Sequence, residues 1–266
     1  MSQAAPAGAD DALLRRIEDA SLNASAPPQQ FWLDGWLLRL SPGKARRARS
    51  INAVAAGTRS IDDKLREAAR RYHDAGLPMF VRITPFSQPA GLEQHLAQLG
   101  WFHIDETHVM ALPTLDAIDA LCGAFDRPAG IESVAAGPAD YAAAVGALRG
   151  SSAQQIDAHA QRLWQSPVPY TGLLWRRAGD VVACGQFARE GDLVGLYDIF
   201  TAPQARGAGL AHSVCAALLV DARAQGARSA YLQVDGANAA AQAVYRRLGF
   251  AVAYHYHYRC ADPRAQ

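Results

Sequence analysis

The sequence has few of the features that mark metal-binding, membrane or nucleic-acid-binding proteins. Its four cysteines lie far apart, with no C-x-x-C pair and no spacing typical of a metal site: Cys122, Cys184, Cys215 and Cys260. No apolar run approaches the roughly 18 residues of a membrane span, and the N-terminus has no basic stretch followed by an apolar core. The formal net charge of +1 gives no electrostatic reason to expect a nucleic-acid or membrane partner. We therefore expect a cytoplasmic protein in a reducing compartment, without a metal site.

The chain does have enough apolar sequence for a large core. Of its 266 residues, 50% are hydrophobic and 19% are charged, a size and composition that suit two small domains. Strand and helix patterns alternate in both halves. In the first half, strands are predicted over 31–40 and 48–54, joined by a turn at 41–43, and an amphipathic helix is predicted over 60–75. In the second half, the pattern predicts a mixed α/β sheet whose last strand ends near residue 260.

A glycine-rich turn, PQARGAGLAHSV at residues 203–214, separates a predicted strand from a long predicted helix. Gly207 and Gly209 leave the backbone bare, and the start of a helix offers N–H groups without intrahelical partners. Together with Arg206, these groups suit a diphosphate. A tight turn also uses glycine for conformation alone, so the turn by itself leaves both interpretations open. The spacing excludes a P-loop and a dinucleotide-binding G-x-G-x-x-G turn.

Two stretches together resemble the GNAT superfamily of acetyl-coenzyme A dependent N-acetyltransferases. Residues 206–211 (RGAGLA) are similar to the R/Q-x-x-G-x-G/A motif of that family. Residues 238–250 (NAAAQAVYRRLGF) are similar to its second signature, N-x-x-A-x-x-x-Y followed by L-G-F. The two signatures lie in the family's order and at about its separation. The resemblance covers roughly residues 130–260 and implies an acyltransferase with acetyl-coenzyme A as its co-substrate.

The resemblance implies a role for each matching residue. The strand end Ile199, Phe200 and Thr201 would bind the pantetheine arm through main-chain groups. Asn238 would contact the same arm, and Tyr245, two helical turns later, would lie near the thioester sulfur. Six consecutive residues would wrap the diphosphate: Arg206, Gly207, Ala208, Gly209, Leu210 and Ala211.

Aminolysis of a thioester requires a proton donor and a proton acceptor. An alkylamine of pKa near 10.4 is neutral in only about one molecule in a thousand at pH 7, and a departing thiolate gains from a phenol placed at the sulfur. We therefore predict Tyr245 as the acid, against the alternative that it only packs under Phe250. Asp198 is the preferred base and Asp235 the second candidate. A purely structural role for Asp198, and proton transfer through water with no single base, are also compatible with the sequence.

The first half follows the same order of strands and helices as the second. Residues 96–101 (LAQLGW) resemble residues 245–250 (YRRLGF), but residues 54–58 (VAAGT) occupy the place of the glycine-rich turn, with one glycine and no arginine. We predict tandem GNAT-like domains, each a mostly antiparallel twisted sheet flanked by helices. A degenerate domain without a cofactor site would span residues 1–115, a connector 116–130, and the catalytic domain 131–266.

The resemblance implies transfer of an acetyl group from acetyl-coenzyme A to a primary amine. Direct transfer is expected because neither signature contains a cysteine for a covalent relay. A small-molecule amine is the preferred acceptor, and a protein or peptide amine is the alternative. Two other functions are also considered, an idle acyl-coenzyme A sensor or scaffold and a transferase for longer acyl chains. The internal pseudo-dimer suits a monomer, and a homodimer is the alternative.

Three further features have two interpretations each. His255 and His257 share a face of the last strand, and no carboxylate or cysteine lies within two residues of either. A substrate pocket or solvent exposure is therefore favoured over a metal pair. The basic run at 46–49 (RRAR) indicates either an acidic ligand or an exposed hairpin end. Trp32 and Trp36, four residues apart in a predicted strand, are expected on one buried face.

Overall fold

The computed structural model describes residues 10–118, 128–262 and 264. Cys122 and most of the predicted connector at 116–130 lie outside the described residues. The elements of the first half are, in chain order, α1 (Asp11–Ala24), β1 (Gln29–Leu33), β2 (Trp36–Leu40), β3 (Ile51–Ala53), α2 (Ile61–Asp74), β4 (Val81–Ile83), α3 (Leu92–Gln98) and β5 (Phe102–Leu112). Those of the second half are β6 (Glu132–Ala136), α4 (Pro138–Arg149), α5 (Ala153–Trp164), β7 (Tyr170–Arg177), β8 (Asp180–Glu190), β9 (Leu193–Thr201), α6 (Leu210–Ala224), β10 (Ser229–Asp235), α7 (Ala239–Arg247) and β11 (Ala251–Cys260).

The strands form one sheet of eleven, in the order β1-β2-β3-β4-β11-β5-β10-β9-β8-β7-β6. Two neighbouring pairs, β3 with β4 and β9 with β10, are parallel, and the other pairs are antiparallel. In each half the parallel pair is joined by a helix, α2 in the first half and α6 in the second. The predicted architecture is therefore confirmed: two similar, mostly antiparallel α/β halves.

The two halves exchange their last strands. The strand β11, from the second half, lies between β4 and β5, while β5, from the first half, lies between β11 and β10. At the centre β5 and β11 run antiparallel, from Ala251 opposite Ala111 to Cys260 opposite Phe102. Each half therefore completes its sheet with a strand from the other half.

Local signals position the helices. At the start of α1, Leu13 N–H donates a 2.8 Å hydrogen bond to the Asp10 carboxylate. At α2, Asp63 N–H donates a 3.1 Å bond to the Ser60 hydroxyl. Each such cap stabilises a helix by about 1 kcal/mol. Among the described residues, no helix combines the length and apolar character needed to cross a membrane.

The predicted strand over 31–40 is wrong, because the chain reverses within it. Asp34 and Gly35 have φ values of 45° and 85°, so they form a tight turn between β1 and β2. Trp32 therefore pairs with Leu37 on one strand face, and Trp36 lies on the other. The expectation of a shared buried face fails accordingly, since Trp36 is fully buried whereas Trp32 is 63% exposed.

A glycine in β8 allows α6 to approach the sheet closely. A Cβ on Gly185 would lie 2.6 Å from Ile199 Cδ1, 2.8 Å from Val214 Cγ1 and 2.9 Å from Leu218 Cδ1. Real Cβ atoms do not come so close, so only glycine fits here. The contact fixes the position of α6 against the part of β9 that carries the functional residues described below.

Candidate active site

The site begins where β9 and β10 separate. Their parallel pairing ends at Leu196, opposite Leu232. Beyond this point β10 continues beside β5, and β9 continues beside β8 as far as Thr201. Among the described residues, no strand pairs with the other edge of β9 over 197–201, so main-chain groups on that edge are open. The predicted strand end at 199–201 lies on this edge.

A β-bulge in β9 lies on the same stretch. Asp198 has a φ of 51°, and the register between β8 and β9 shifts between Cys184 and Gln186. A bulge bends its strand and redirects the side chains beside it. The bulge therefore sets where the carboxylate of Asp198, a predicted site residue, points.

The glycine-rich turn has the conformation that an anion site requires. Gly207 and Gly209 have φ values of 78° and 75°, in the left-handed region that favours glycine. Gly209 caps α6 without any side-chain hydrogen bond, and the first intrahelical donor is Ser213 N–H, 3.1 Å from the Gly209 carbonyl. The N–H groups of the first helical turn therefore have no intrahelical acceptor. Arg206 is exposed beside this helix start, and its guanidinium lies 5.9 Å from the ring centre of Phe200, near the end of β9. It therefore adds a positive charge between β9 and α6.

An open groove of about 510 Å³, here called the outer groove, runs between the end of β9, the glycine-rich turn and α7. All predicted cofactor-binding residues except Ala208 line it. Two lining residues with titratable side chains were not predicted from the sequence, His212 and Arg247. Burial, followed by the charge of Arg247, lowers the pKa of His212. Arg206 and Arg247 thus give the groove two cationic side chains.

A second cavity of about 260 Å³, here called the inner cavity, adjoins the outer groove. Four residues line both spaces: Ile199, Asn238, Ala241 and Tyr245. Three guanidinium groups line the inner cavity but not the outer groove: Arg47, Arg149 and Arg162. Because Arg47 belongs to the first half of the chain, both halves form this cavity. The alternative of an exposed hairpin end is wrong for Arg47, which is partly buried.

Tyr245 lies at the junction of the two spaces. Its side chain is only 8% exposed, and burial raises the pKa of its phenol above the usual range, so the hydroxyl stays protonated. The ring also packs edge-on against Phe250 with centroids 6.3 Å apart. The contacts of Tyr245 are thus compatible with both interpretations, a proton donor at the thioester sulfur and a residue that packs under Phe250. Asn238 also lines both spaces. Its side-chain oxygen accepts a 3.1 Å bond from Ala241 N–H and so caps the start of α7.

Asp198 is held by three side chains. Its carboxylate accepts a 2.8 Å bond from Arg149 Nη1 and a 2.7 Å bond from Gln186 Nε2. His159 Nε2 lies 3.2 Å from Asp198 Oδ2, the oxygen that also accepts the bond from Gln186. Burial alone would raise the pKa of Asp198, but His159 and Arg149 outweigh it and hold that pKa well below its usual range. Asp198 is therefore ionised at every physiological pH.

The other predicted carboxylate, Asp235, has a different environment. It is exposed at the end of β10, where it lines the inner cavity and accepts a 2.7 Å bond from Ala237 N–H. His159 and Arg162 come from α5, and Arg149 from the end of α4. No motif in the sequence marks these three residues, because only the packing of α4 and α5 brings them to β9.

Comparison with protein families identifies the second half. Residues 144–250 match the family model described as "Acetyltransferase (GNAT) family". This segment is a GNAT domain. Residues 11–115 match another model, described as "Probable histone acetyltransferase Rv0428c C-terminal". A comparison with curated proteins found no match.

Solved structures share the fold of the GNAT domain and of the half that precedes it. A GCN5-related N-acetyltransferase from Kribbella flavida is 18% identical, with a TM-score of 0.65 over 93% of this chain and 95% of that chain. A functionally unknown conserved protein from Staphylococcus epidermidis is 11% identical, with a TM-score of 0.60 over 87% and 92%. A tandem GNAT protein from the clavulanic acid biosynthesis pathway is 17% identical, with a TM-score of 0.59 over 76% and 71%. This likeness shows the fold alone, and it confirms the tandem GNAT-like architecture.

The first, GNAT-like half has its own carboxylate where the GNAT domain has the glycine-rich turn. Thr58 and Arg59 lie between β3 and α2. The N–H of Thr58 donates bonds of 2.9 and 3.0 Å to the Asp34 carboxylate, and the N–H of Arg59 donates a bond of 2.8 Å to it. The Nζ of the buried Lys64 lies 3.7 Å from the same carboxylate. These backbone bonds lower the pKa of Asp34 to about 2. The N–H groups of Thr58 and Arg59, which precede α2, are therefore already paired with a side chain.

The two histidines of the last strand lie in separate clusters. His257 stacks on His103 with ring centroids 3.9 Å apart, and Glu93 lies beside it. His255 meets His108 and Glu106. Each cluster thus includes a carboxylate that lies far in sequence from the histidine of β11. In the first cluster Arg259 also contacts Glu93, and this cation disfavours a metal ion there.

Proposed function

We propose that the protein is an N-acetyltransferase that moves an acetyl group from acetyl-coenzyme A directly to a primary amine of a small molecule. The observation that carries this proposal is the continuity of two spaces at Tyr245. Tyr245 lines both the outer groove and the inner cavity, as do Ile199, Asn238 and Ala241. An acyl donor and an amine acceptor bound in the two spaces would meet beside one phenol.

The residues of the outer groove fit acetyl-coenzyme A. The uncapped start of α6, with Arg206 and Arg247, offers backbone donors and two cations to a diphosphate and its neighbouring phosphate. The open edge of β9 at 199–201 offers main-chain groups to an amide-containing arm, as an added strand would use them. When bound, acetyl-coenzyme A supplies the activated acyl group as a thioester. Asn238 and Tyr245 border the end of the groove where that group would lie.

Tyr245 is proposed as the acid. Its buried phenol is protonated, so it can donate a proton or a hydrogen bond to a departing thiolate, whose own pKa is about 8.5. Cys184 does not suit a cysteine relay. The Cys184 thiol contacts the Asp198 carbonyl at 3.6 Å, and burial raises its pKa to about 12, so it is not a thiolate nucleophile at neutral pH. We therefore propose direct transfer to the amine.

The contacts of Asp198 argue for a positioning role. A carboxylate with a strongly lowered pKa, already bonded to Arg149 and Gln186, is a poor proton acceptor. We propose that Asp198 fixes Arg149 and His159 in the wall of the site. The ammonium proton of the acceptor would then leave through water toward solvent, with Asp235 at the rim of the inner cavity as the remaining carboxylate candidate.

Two measurements on the purified full chain test this function. Calorimetry with coenzyme A checks the outer groove, and release of free thiol from acetyl-coenzyme A with a panel of small amines and lysine peptides checks transfer. We expect micromolar binding and turnover with at least one small amine. Tight binding without turnover on any amine would instead support a sensor. Preference for a longer acyl donor would support a different acyltransferase, and preference for peptides would move the acceptor class to proteins.

A further inference from the structure

We propose that the acceptor carries a carboxylate as well as its amine, and that Arg47 and Arg162 bind this carboxylate in the inner cavity. The inference rests on the proposed transfer reaction and names the chemical class of its acceptor. It assigns the first half of the chain a role in selecting the substrate, because Arg47 comes from the short turn between β2 and β3.

The charges around the inner cavity do not balance within the protein. Of its three guanidinium groups, Arg149 is paired with Asp198. Among the described residues, Arg47 and Arg162 have hydrogen bonds only to neutral groups. Arg47 Nη1 lies 3.4 Å from the Tyr256 hydroxyl, and Arg47 Nε is buried without a partner.

Arg162 is surrounded in the same way. Its Nη1 donates 3.3 Å bonds to the Ala24 carbonyl and to the Tyr170 hydroxyl. Of the described residues that line the cavity, Asp198 and Asp235 are the carboxylates, and Asp235 is exposed and bonded to its own turn. Among the described residues, neither Arg47 nor Arg162 has a carboxylate within ion-pair distance, and an unpaired charge in a partly enclosed space costs free energy.

Gln233 adds another hydrogen-bond donor to the same cavity. Gln233 uses its Oε1 to accept a 2.7 Å bond from the Tyr256 hydroxyl, and its buried Nε2 has no partner among the described residues. A ligand group facing Arg47, Arg162 and Gln233 must therefore accept hydrogen bonds and carry negative charge. Guanidinium groups match a carboxylate through two parallel hydrogen bonds.

The position of these donors places the carboxylate away from the reacting amine. Tyr245 and Asn238 line both spaces, whereas Arg47, Arg162 and Gln233 line only the inner cavity. An acceptor bound with its carboxylate at the arginines would direct its amine toward Tyr245. Two tyrosine rings, Tyr170 and Tyr197, also line the inner cavity, with centroids 5.5 Å apart. Amino acids and other amino carboxylates of comparable size fit this description.

Matched acceptor pairs test the inference. Each pair contains an amino carboxylate and its primary amide, for example α-amino acids, β-alanine and 4-aminobutyrate, with aminophosphonates of equal length as a third arm. Free thiol release gives kcat/KM for each. We expect at least one carboxylate to exceed its amide by about 10- to 100-fold, the effect of a charged hydrogen-bonded pair. Equal rates for carboxylates and amides would overturn the proposal, and a preference for phosphonates would replace carboxylate by phosphate.

Variants of the two arginines separate this inference from the proposed function. For Arg47→Gln and Arg162→Gln, we expect the ratio of carboxylate to amide kcat/KM to fall toward one, mainly through KM. Arg177→Gln, in the exposed β7–β8 hairpin, is the matched control and should keep the ratio. Thermal unfolding with each carboxylate and amide gives a second readout that needs no turnover. If carboxylates stabilise the parent and not Arg47→Gln, while no amine is acetylated, the reaction is wrong and the anion site stands. An unchanged ratio and unchanged stabilisation in both variants would refute the anion site.

Discussion

The N–H of Arg59 donates a 2.8 Å hydrogen bond to the carboxylate of Asp34 at the start of α2. In the GNAT half, the corresponding start of α6 has no side-chain cap. The hairpin turn between β1 and β2 brings Asp34 to this place, so the two halves differ in which anion they accept. In the first half the anion is part of the chain, and in the second it is a ligand under the proposed function.

Asp34 makes the stability of the chain depend on pH in a defined window. Its pKa in the folded protein is about 2, below the ordinary value of 3.8, so its contribution is present above pH 4 and is lost as the pH falls toward 2. We expect Asp34→Asn to be less stable than the parent near pH 6, with the difference shrinking between pH 4 and 2. Urea unfolding at several pH values measures it, with Asp180→Asn in an exposed hairpin as control. A difference independent of pH would contradict the contacts described.

Charge reversal at Arg206 should weaken coenzyme A binding without affecting the fold. The side chain is exposed, so thermal unfolding should not change, while the lost charge-assisted contact should raise Kd by about 10- to 100-fold. Calorimetry on Arg206→Glu measures this, with the exposed Arg177→Glu as a control of equal charge change. The same Kd for parent and Arg206→Glu would remove the glycine-rich turn from the cofactor site.

Binding should saturate at one coenzyme A per chain, because Asp34 occupies the equivalent donors of the first half.

Removal of one hydroxyl distinguishes the two interpretations of Tyr245. Tyr245→Phe keeps the ring against Phe250 but cannot donate a proton, so we expect kcat to fall about 100-fold or more. The Kd for coenzyme A should change less than about threefold, because the turn and β9 keep their donors. Steady-state kinetics with calorimetry on the same preparation give both numbers. An unaltered kcat would leave Tyr245 with a packing role only.

Asp198→Asn tests positioning against proton transfer. Because the pKa of Asp198 lies well below its usual range, the carboxylate does not titrate between pH 6 and 9. We expect the variant to lower kcat/KM about tenfold through misplacement of Arg149 and His159, and to keep the shape of its pH profile. Loss of a limb of that profile on substitution would instead support the hypothesis that Asp198 is the base.

Gly185→Ala should destabilise the fold near the bulge. The added methyl would come within 2.6–2.9 Å of Ile199, Val214 and Leu218, and such overpacking costs about 1–3 kcal/mol. Gly137→Ala is the matched control, because its φ is −68° and a Cβ there meets nothing within 4 Å. Chemical unfolding of both variants gives the comparison. Equal stabilities would show that α6 moves away from β8 at little cost.

The sequence was sufficient for contiguous features and insufficient for those that depend on topology. The glycine-rich turn and the run from Asn238 to Tyr245 each lie within one strand–helix unit, so contiguous residues carry the resemblance to the GNAT signatures, and both stretches line the outer groove. Arg47 and His159 reach the site only because distant segments pack together, and no local periodicity encodes that. The pattern over 31–40 predicts one long strand, so it gives no indication that Asp34 lies in a turn and accepts bonds from the segment before α2.

The site residues that stay predictions are those whose role needs a ligand. Main-chain binding at 199–201, the base, and the acceptor amine all depend on groups that the chain alone does not provide. The exchange of β5 and β11 was also invisible, because either strand has the same pattern whether it pairs within its own half or with the other half. Hydrophobic alternation fixes which face of a strand is buried, and it does not fix the neighbour.

The exchanged strands make the end of the chain indispensable to its beginning. During synthesis the first half emerges with β4 lacking a neighbour on one side, and it gains that neighbour only when Ala251–Cys260 leave the ribosome. A nascent chain stopped before this point would carry two unpaired strand borders, a state prone to self-association. Cutting the gene between its halves therefore should not yield two independent proteins, and each fragment should become soluble only when the other is made beside it.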